Sequence, residues 1–285
     1  MRDVVALRDL LRDRRAVVLT GAGCSTESGI PDYRGPTGVM RAREPMRYQE
    51  FVKSEDGRQR YWARSAVGWG RFASAAPNAG HHAIAVLEQA GHVHGVITQN
   101  VDGLHGQAGS RRVIELHGSL HRARCLHCAR LVDRESVQAR IAKENPGFLE
   151  AGTAARELAP DGDVHLSPEE VARFVTPSCE ACGGPMKPDV VFFGENVPDH
   201  TARAAWSLLD GAEMLIVAGS SLAVYSGYRF VKTAAERNLP VVIVNRGVTR
   251  GDPHASLRID AAVGATFTSV ARDLGYSPSS SPIVA

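Results

Sequence analysis

Four of the five cysteines stand in two pairs whose spacing is typical of a metal site. Cys125 and Cys128 form the first C-x-x-C pair, and Cys179 and Cys182 form the second. Each pair can hold one ion from one side, and four thiolates make a closed tetrahedral zinc site. A closed site has no open position for water, so we expect one structural zinc ion. Four free thiols and a redox C-x-x-C pair are the weaker alternatives, because two pairs are present.

A glycine turn follows the first apolar run of the chain. Ala16 to Leu19 predict a buried strand, which ends in Gly21-Ala22-Gly23. Two glycines permit a tight turn and the approach of a phosphate to main-chain N–H groups. Ser25 and Thr26 offer an N-cap for a short helix whose positive end faces that phosphate. Strand, turn and helix start predict a dinucleotide site, although Thr26 stands where G-x-G-x-x-G has its third glycine.

Polar residues follow other apolar runs in the same way. Gln99-Asn100-Val101-Asp102 suits a pocket for a carboxamide and a ribose, and an N-cap by Asp102 is the ordinary alternative. His117 precedes a glycine, and an imidazole suits a general base near neutral pH; His105 is the second candidate. Small or hydroxyl-bearing residues suited to phosphate and ribose contacts follow two later runs, as Gly219-Ser220-Ser221 and Asn245-Arg246-Gly247.

The elements between these segments alternate between strands and helices. Apolar runs predict strands at 16–20, 93–98, 113–116, 190–193, 214–218 and 241–244. Helical patterns occupy 3–15, 77–90, 199–209 and 227–237. This alternation predicts an α/β fold with a doubly wound parallel, Rossmann-like sheet. Ligands of open parallel sheets bind beyond the carboxyl ends of the strands, so we expect the polar segments to converge there.

Two stretches interrupt the alternation and define the expected domains. Residues 36–75 carry several aromatic side chains and predict a helical excursion over the glycine turn, or a helix that packs through its rings. Residues 121–185 hold both cysteine pairs and predict a smaller inserted zinc-binding module. Residues 1–120 and 186–276 are then the Rossmann-like domain, and the serine- and proline-bearing tail 277–285 is expected to be disordered.

Composition bears on the kind of partner. The 285 residues carry 33 basic and 31 acidic side chains, and a net charge of +2 gives no reason to expect nucleic acid or a membrane. No apolar run approaches the roughly 20 residues that span a bilayer. The N-terminus lacks an apolar signal core, and its aspartates argue against a transit peptide. We therefore expect a cytoplasmic protein of bacterial origin.

Residues 21–34, Gly-Ala-Gly-Cys-Ser-Thr-Glu-Ser-Gly-Ile-Pro-Asp-Tyr-Arg, resemble the first signature of the sirtuins, the NAD-dependent protein deacylases. The resemblance covers almost the whole chain. It implies NAD as co-substrate, one structural zinc ion on the paired cysteines, and catalysis by His117 with Asn100 and Asp102. The positions that it and the strand-end pattern assign to NAD are Gly21, Ala22, Gly23, Ser25, Thr26, Ile30, Pro31, Asp32, Tyr33, Arg34, Gln99, Asn100, Val101, Asp102, Gly219, Ser220, Ser221, Asn245, Arg246, Gly247 and Val263. The positions that it assigns to an acyl-lysine protein or peptide are Val191, Phe192, Phe193, Gly194 and Glu195.

The resemblance also implies a reaction. The carbonyl oxygen of an acyl-lysine attacks C1′ of the nicotinamide ribose and expels nicotinamide. His117 takes a proton from the ribose, so that the 2′-hydroxyl attacks the imidate. Free lysine, nicotinamide and O-acyl-ADP-ribose are the products. A mono-ADP-ribosyltransferase that uses the same site is the alternative activity, and a non-enzymatic NAD-sensing or zinc-dependent binding module is a third interpretation.

The acyl group is the least general part of this expectation. The interval between the cysteine pairs is longer than in most sirtuins and is similar to the class II branch, which includes the human mitochondrial sirtuin four. Tyr61 and Arg64 share one helix face, so both could bind a carboxylate at the end of an acyl group. Desuccinylating sirtuins carry a Tyr-x-x-Arg pair in the corresponding region. The ordinary alternative is that Tyr61 packs and Arg64 is a solvated surface charge.

Overall fold

A computed structural model describes residues 2–35, 45–151 and 156–277 of the chain. Its strands are β1 (Ala16–Thr20), β2 (Val93–Thr98), β3 (Val113–Glu115), β4 (Gly118–Cys125), β5 (Leu131–Asp133), β6 (Met186–Val190), β7 (Met214–Ala218), β8 (Val241–Val244) and β9 (Leu257–Ile259). Its α-helices are α1 (Arg2–Asp13), α2 (Tyr48–Lys53), α3 (Glu55–Ala73), α4 (Ala79–Gln89), α5 (Leu104–Gln107), α6 (Arg134–Glu144), α7 (Phe148–Ala151), α8 (Pro168–Val171), α9 (Asp199–Asp210), α10 (Tyr225–Glu236) and α11 (Val263–Asp273). Nearly all of the tail expected to be disordered, and the first part of the 36–75 excursion, lie outside the described residues. No helix in the described ranges has both the length and the apolar composition that a membrane span requires.

The chain forms two compact units, the first built from residues 1–41, 76–116 and 197–285. Its six-stranded sheet has the order β3-β2-β1-β7-β8-β9, and all of its neighbouring strands run parallel. Val18 in the centre pairs with Val96 on one side and Ile216 on the other. The predicted α/β fold with a parallel sheet is therefore confirmed.

Both faces of this sheet are covered, because its side chains alternate between two apolar clusters. All five residues of β1 are buried. Ala16 and Val18 pack with residues of α1, α4 and α11, whereas Val17 and Leu19 pack with residues of α9 and α10. Continuous apolar runs such as β1 are the expected pattern for parallel strands that are buried on both faces.

The sequence pattern misses the last two elements of the first unit. Strand β9 has only three residues, which is too short for an apolar run to stand out. Helix α11 buries Gly264 and Thr266 together with Phe267, so small and polar residues interrupt its apolar face. Strand β9 is the edge strand of the sheet, and both elements contribute residues to one of the two apolar clusters.

The second unit is built from residues 42–75 and 117–196. Its sheet is antiparallel, with the order β5-β4-β6. The strand predicted at 190–193 is displaced: β6 ends at Val190, and beyond it Phe193 makes only an isolated bridge with Arg47. Gly194 has a φ of 80°, a left-handed conformation that ends the extended backbone there.

Helices α2 and α3 confirm that the described part of the 36–75 excursion is helical. Ser54 caps α3 by accepting a hydrogen bond from the N–H of Gly57. Helix α3 buries Tyr61, Trp62 and Trp69, and the ring of Tyr61 meets the ring of Phe192 at 5.3 Å between centroids. These aromatic side chains form part of the interior of the second unit.

Candidate functional site

The glycine turn after β1 packs against the turn after β7. The N–H of Gly21 donates to the carbonyl of Ala218 at 3.2 Å, and the N–H of Gly23 donates to the carbonyl of Gly219 at 2.8 Å. A Cβ at position 21 would lie 2.8 Å from the Cβ of Ser220. At Gly219, where φ is 63°, a Cβ would overlap the amide nitrogen of Cys24. The glycines are thus required by the close approach of two turns of the first unit.

The predicted N-cap at Ser25 is wrong. Single 3-10 turns form at Ala22–Cys24 and Thr26–Ser28, and the Ser25 side chain caps neither of them. Its hydroxyl instead donates to Asp102 Oδ2 at 2.7 Å. A buried carboxylate is a stronger acceptor for this hydroxyl than a neutral group, so the side chain turns inward.

Asn100, Asp102 and Ser25 form one buried hydrogen-bond network. The amide nitrogen of Asn100 donates to Ser25 Oγ at 3.0 Å and to the carbonyl of Gly21 at 3.1 Å. Asp102 is 5% exposed, and its Oδ1 also accepts the N–H of Leu104 at 3.0 Å. Asp102 therefore accepts the first N–H of α5, although Gly103 is the N-cap residue of that helix. The network joins the segment after β1 to the segment after β2.

Gln99 connects this network to the turn after β7. Its amide nitrogen donates to Ser220 Oγ at 2.9 Å and to the carbonyl of Thr20 at 3.2 Å. Gly227 on α10 has no room for a Cβ beside Gln99 Oε1. Ser220 also accepts the N–H of Leu222 at 3.2 Å. Segments from β1, β2 and β7 therefore meet at the carboxyl edge of the sheet, as predicted.

The rest of the first signature follows the glycine turn. Ile30 is buried, whereas Pro31 to Arg34 are half-buried. Asp32 Oδ1 accepts the N–H of Gly35 at 2.9 Å, which closes a turn around the Tyr33-Arg34 pair.

An arginine that the sequence pattern did not single out holds the segment after β8. Arg258 on β9 donates to the carbonyls of Asn245 and Gly247, and its Nε donates to Asp252 Oδ1 at 3.1 Å. Arg246 itself is exposed, and Val263 is buried at the start of α11. An arginine inside an apolar strand was the available signal, but β9 was too short to be recognised.

His117 lies in the turn before β4 and is half-buried. Its carbonyl accepts the N–H of Val191 at 2.8 Å. Gly118 has a φ of 78°, and a Cβ there would overlap the carbonyl oxygen of Asp189. The backbone of the second unit therefore fixes where the imidazole is attached. His105, the second candidate, is only 1% exposed, and burial holds its pKa well below the usual value.

A buried lysine shapes the segment Val191–Glu195. Lys187 Nζ lies 3.0 Å from Glu195 Oε2, and the same oxygen accepts the N–H of Phe192 at 2.9 Å. Burial lowers the pKa of Lys187, although Glu195 acts in the opposite direction. Phe192 is buried, while the side chain of Phe193 is 40% exposed. Sequence reasoning selected Glu195 but missed Lys187, whose partner lies eight positions away.

The four paired cysteines converge, as their spacing predicts. Their sulfur atoms all lie within 4.8 Å of one another. Cys125 and Cys182 are 3.5 Å apart at sulfur, and Cys128 and Cys179 are 3.7 Å apart. Zn–S bonds of about 2.3 Å at tetrahedral angles separate two sulfurs by about 3.8 Å. The N–H groups of His127 and Cys128 point to the sulfur of Cys125, at 3.3 and 3.5 Å. This geometry fits a zinc ion.

Tyr61 and Arg64 lie on α3 in a polar part of the second unit. Tyr61 is 3% exposed, and burial raises its pKa well above the usual value. Arg64 is half-buried, and its charge lowers the pKa of Asp161 and Asp163 against a larger increase caused by burial. Gly68 on α3 has no room for a Cβ beside Gly162, so the loop that carries both aspartates packs directly on the helix.

The sequence of the chain is similar to those of known proteins. The model of the Sir2 family matches residues 21–226. NAD-dependent protein deacetylase 1 of Streptomyces coelicolor is 50% identical over 273 residues, which cover 96% of this chain and 90% of the relative. The mitochondrial NAD-dependent protein lipoamidase sirtuin-4 of Bos taurus is 49% identical over 260 residues, covering 90% of this chain and 82% of the relative.

The fold of the chain is also similar to solved structures of Sir2 proteins. A Sir2 structure with a p53 peptide and NAD+ superimposes with a TM-score of 0.76 at 32% identity, covering 95% of this chain and 98% of the other. A Sir2 structure with a propionylated peptide gives a TM-score of 0.76 at 31% identity, covering 96% and 99%.

Proposed function

The chain belongs to the Sir2 family, and from that premise we propose that it is an NAD-dependent protein-lysine deacylase. It would transfer the acyl group of a modified lysine in a protein or peptide to the ADP-ribose part of NAD. NAD supplies the activated ribose of this reaction, because loss of nicotinamide leaves an electrophilic carbon. The residues of this chain would bind and orient NAD and the acyl-lysine, and would accept and donate protons.

The buried network of Ser25, Asn100 and Asp102 carries the proposal. It brings a carboxylate and an amide together directly beyond two adjacent strand ends of a parallel sheet. Such strand ends are where α/β sheets bind nucleotides. A carboxamide presents N–H donors, and the oxygens of Asp102 and Asn100 can accept them, whereas the amide nitrogen of Asn100 already donates within the chain. We assign these two side chains to the nicotinamide carboxamide and ribose.

The turns that surround the network suit the remainder of NAD. Gly21 to Gly23 and Gly219 to Ser221 carry small side chains, which let a pyrophosphate approach the backbone closely. The segment Asn245–Gly247, held by Arg258, is assigned to the adenosine end with Val263. Ile30 to Arg34 are assigned to the same co-substrate.

We assign the proton transfer to His117. Histidine titrates near neutral pH, so it can accept a proton from a ribose hydroxyl and later release it. The peptide substrate is assigned to Val191–Glu195, whose backbone can pair with an extended chain by β-augmentation. Lys187, buried beneath this segment and paired with Glu195, would keep its shape.

We propose that the four paired cysteines hold one structural zinc ion. All four ligand positions of a tetrahedral ion would be protein sulfurs, which leaves no place for a reacting water. Such a site needs reduced thiols, and the cytoplasm keeps thiols reduced. A cytoplasmic location is therefore part of the proposal.

Two classes of acyl group are candidates for the substrate, those that end in a carboxylate and those that are uncharged. Arg64 could bind an acyl tail that ends in a carboxylate, such as succinyl or glutaryl, with Tyr61 as a second donor. Asp161 and Asp163 already lie near this guanidinium, so the substrate carboxylate must compete with them. An uncharged acyl group would not need to displace them.

A panel of one peptide with different lysine acyl groups tests the proposal by mass spectrometry, with and without NAD. We expect free lysine and O-acyl-ADP-ribose in equal amounts, only when NAD is present. A protein or peptide that gains the mass of ADP-ribose, without loss of an acyl group, would favour the mono-ADP-ribosyltransferase instead.

His117→Ala is expected to reduce turnover at least a hundredfold, because general-base catalysis typically contributes about 10²–10⁴ in rate. NAD binding, measured by calorimetry, should change little. His127→Ala, a histidine between the paired cysteines, is the matched control. More than a few per cent of residual deacylation would remove His117 from the role of base.

A further inference from the structure

Three side chains with metal-binding atoms lie together in the first unit, away from the paired cysteines. Cys24 comes from the 3-10 turn after β1, His81 from α4 and His105 from α5. Their exposed fractions are 1%, 0% and 1%, and their ligand atoms all lie within 4.8 Å of one another. The function proposed above uses none of these three side chains.

Hydrogen bonds define which nitrogen of His105 carries the proton. The Thr20 hydroxyl donates to Thr98 Oγ1 at 2.8 Å, so its oxygen is the acceptor for His105 Nε2–H at 3.0 Å. The lone pair of the ring is then on Nδ1, which is buried and makes no hydrogen bond. A metal-binding histidine is oriented in the same way, with its other N–H held by an acceptor. His105 Nδ1 is thus the ring nitrogen whose lone pair is buried and unused, and which could bind an ion.

The hydrogen bonds of His81 assign it a different role. The N–H of Asn78 faces His81 Nδ1 at 3.3 Å, so the ring carries its proton on Nε2. That nitrogen lies 3.9 Å from the sulfur of Cys24, at the distance of a weak N–H···S contact. Burial raises the pKa of the Cys24 thiol and lowers the pKa of His81 to about 4. Burial thus disfavours the charged forms of both side chains.

We propose that Cys24 and His105 form a buried site for one soft monovalent cation, Cu(I) in the cell, with the sulfur and Nδ1 as ligands. Soft thiolate ligands select such cations. When the ion binds, the thiol proton leaves to solvent and an S–metal bond takes its place. The net charge of the site stays unchanged, so no uncompensated charge is buried. His81 Nε2–H then donates to the metal-bound sulfur. A divalent ion would leave one positive charge in the interior.

The proposed ion would join two segments of the chain. Cys24 precedes Ser25, and its carbonyl accepts from Asn78 Nδ2 at 2.8 Å. His105 follows Asp102 on α5. Because all three side chains are buried, the ion can enter only when the turn around Cys24 opens, and uptake should be slow. This inference is independent of the deacylase proposal.

Silver(I), which binds like Cu(I) but is redox-inert, is the probe. The zinc-loaded full-length protein is mixed with one equivalent of silver nitrate in chloride-free buffer and measured by native mass spectrometry. We expect one silver ion per chain, with a net mass gain of silver minus one proton and full retention of zinc. Cys24→Ser should lose this uptake, and His105→Gln should weaken it at least tenfold. His82→Gln, the neighbouring histidine on α4, should leave it unchanged.

Three results would overturn the proposal: equal uptake by Cys24→Ser and wild type, silver that enters only as zinc leaves, or no uptake at all. Circular dichroism confirms that each variant is folded before it is compared. Cys24→Ala provides a second ligand deletion if the serine variant does not fold.

Discussion

The two units bury polar groups in opposite ways. In the first unit the interior polar side chains are mostly uncharged donors and acceptors, and Asp102, the one buried carboxylate among the residues that the structure describes there, accepts hydrogen bonds from Ser25 and Leu104. In the second unit the interior includes two cationic side chains, Arg134 and Lys187, at 1% and 7% exposure. Arg134 lies over the ring of Trp69 at 4.7 Å.

This difference follows from the size of the two sheets. The first unit covers a six-stranded sheet with two apolar clusters, so its polar groups need only satisfy one another. The second unit has a three-stranded sheet, in which β5 has only three residues. We therefore expect the first unit to be stabilised by its core and the second to depend also on the proposed zinc ion and on its charge pairs.

Zinc removal is the strongest test of this comparison. Zinc binding to cysteine sites contributes about 10–16 kcal/mol at neutral pH in small domains. We expect a chelator, or Cys179→Ser, to unfold the region 117–196 while the first unit keeps its structure. Hydrogen exchange measures this, because amides of β4 and β6 should lose protection and amides of β1 and β7 should keep it.

Cys24→Ser is the matched control for that experiment, since it alters a cysteine outside the paired set. It should leave the exchange of β4 and β6 unchanged. If chelation exposes both units together, the two units are stabilised as one, and the comparison fails. Absence of stoichiometric zinc in the purified protein would exclude the metal site itself.

Ser25→Ala tests the buried hydrogen-bond network of Ser25, Asn100 and Asp102 in the first unit. The variant removes the hydroxyl that Asp102 Oδ2 and Asn100 Nδ2 share. Each buried polar group that loses a hydrogen bond costs about 1–3 kcal/mol of free energy. We expect NAD affinity, measured by calorimetry, to fall about tenfold to a hundredfold. Ser256→Ala removes a serine acceptor bonded to Val241 elsewhere in the same unit and should leave NAD affinity intact. Equal losses in both variants would mean that the Ser25 network is only structural.

Arg64→Met tests whether the charges of the second unit serve the substrate. Charge-assisted hydrogen bonds contribute about 1.5–3 kcal/mol, so kcat/KM on succinyl and glutaryl peptides should fall about tenfold to a hundredfold. Acetyl-peptide turnover should stay nearly constant. Arg60→Met is the matched control, because Arg60 lies one turn earlier on α3 and pairs with Glu50. Equal effects on acetyl and succinyl peptides, or no effect on either, would show that Arg64 does not bind the acyl tail.

The same contrast explains what the sequence could predict. In the first unit the segments that we assign to NAD directly follow apolar strands, so the pattern of β1, β2, β7 and β8 pointed to Gly21, Gln99, Gly219 and Asn245. Local patterns could not show that Ser25 turns inward, because its partner Asp102 is 77 positions away.

In the second unit the cysteine spacing and the helical pattern after residue 45 were informative, but the charged interior was not predicted. The neighbours of Arg64 come from a loop about one hundred positions later, and Lys187 acts through Glu195. Charged side chains inside a small unit have no periodic signal, since their burial depends on tertiary packing. The resemblance supplied what the local pattern did not, namely the acyl-lysine substrate.

The smallest expected effect concerns Asp163, and it tests whether ionised pairs stabilise the second unit. Burial raises the pKa of Asp163 well above its usual value, and Asp161 raises it further, while Arg64 and Arg134 lower it. Asp163 Oδ1 is buried and makes no hydrogen bond. If burial dominates, Asp163 keeps its proton in the folded protein at pH values where the unfolded chain has lost it. The folded state then binds more protons from about pH 4 up to the raised pKa, so its stability falls as pH rises through that window.

Asp163→Asn should therefore be neutral near pH 4 and stabilising at pH 8, by on the order of 1 kcal/mol in urea unfolding. The stabilisation should grow with pH, because the asparagine stays uncharged where the aspartate must ionise. Glu144→Gln, which removes an exposed carboxylate from the same unit, is the matched control. The opposite sign at pH 8 would mean that pairing with Arg64 and Arg134 outweighs burial, since breaking a buried pair leaves an uncompensated charge. In that case the second unit is stabilised by ionised pairs. With the expected sign, Asp163 is held in the folded protein as a neutral acid, and charge pairing does not stabilise the second unit at this position.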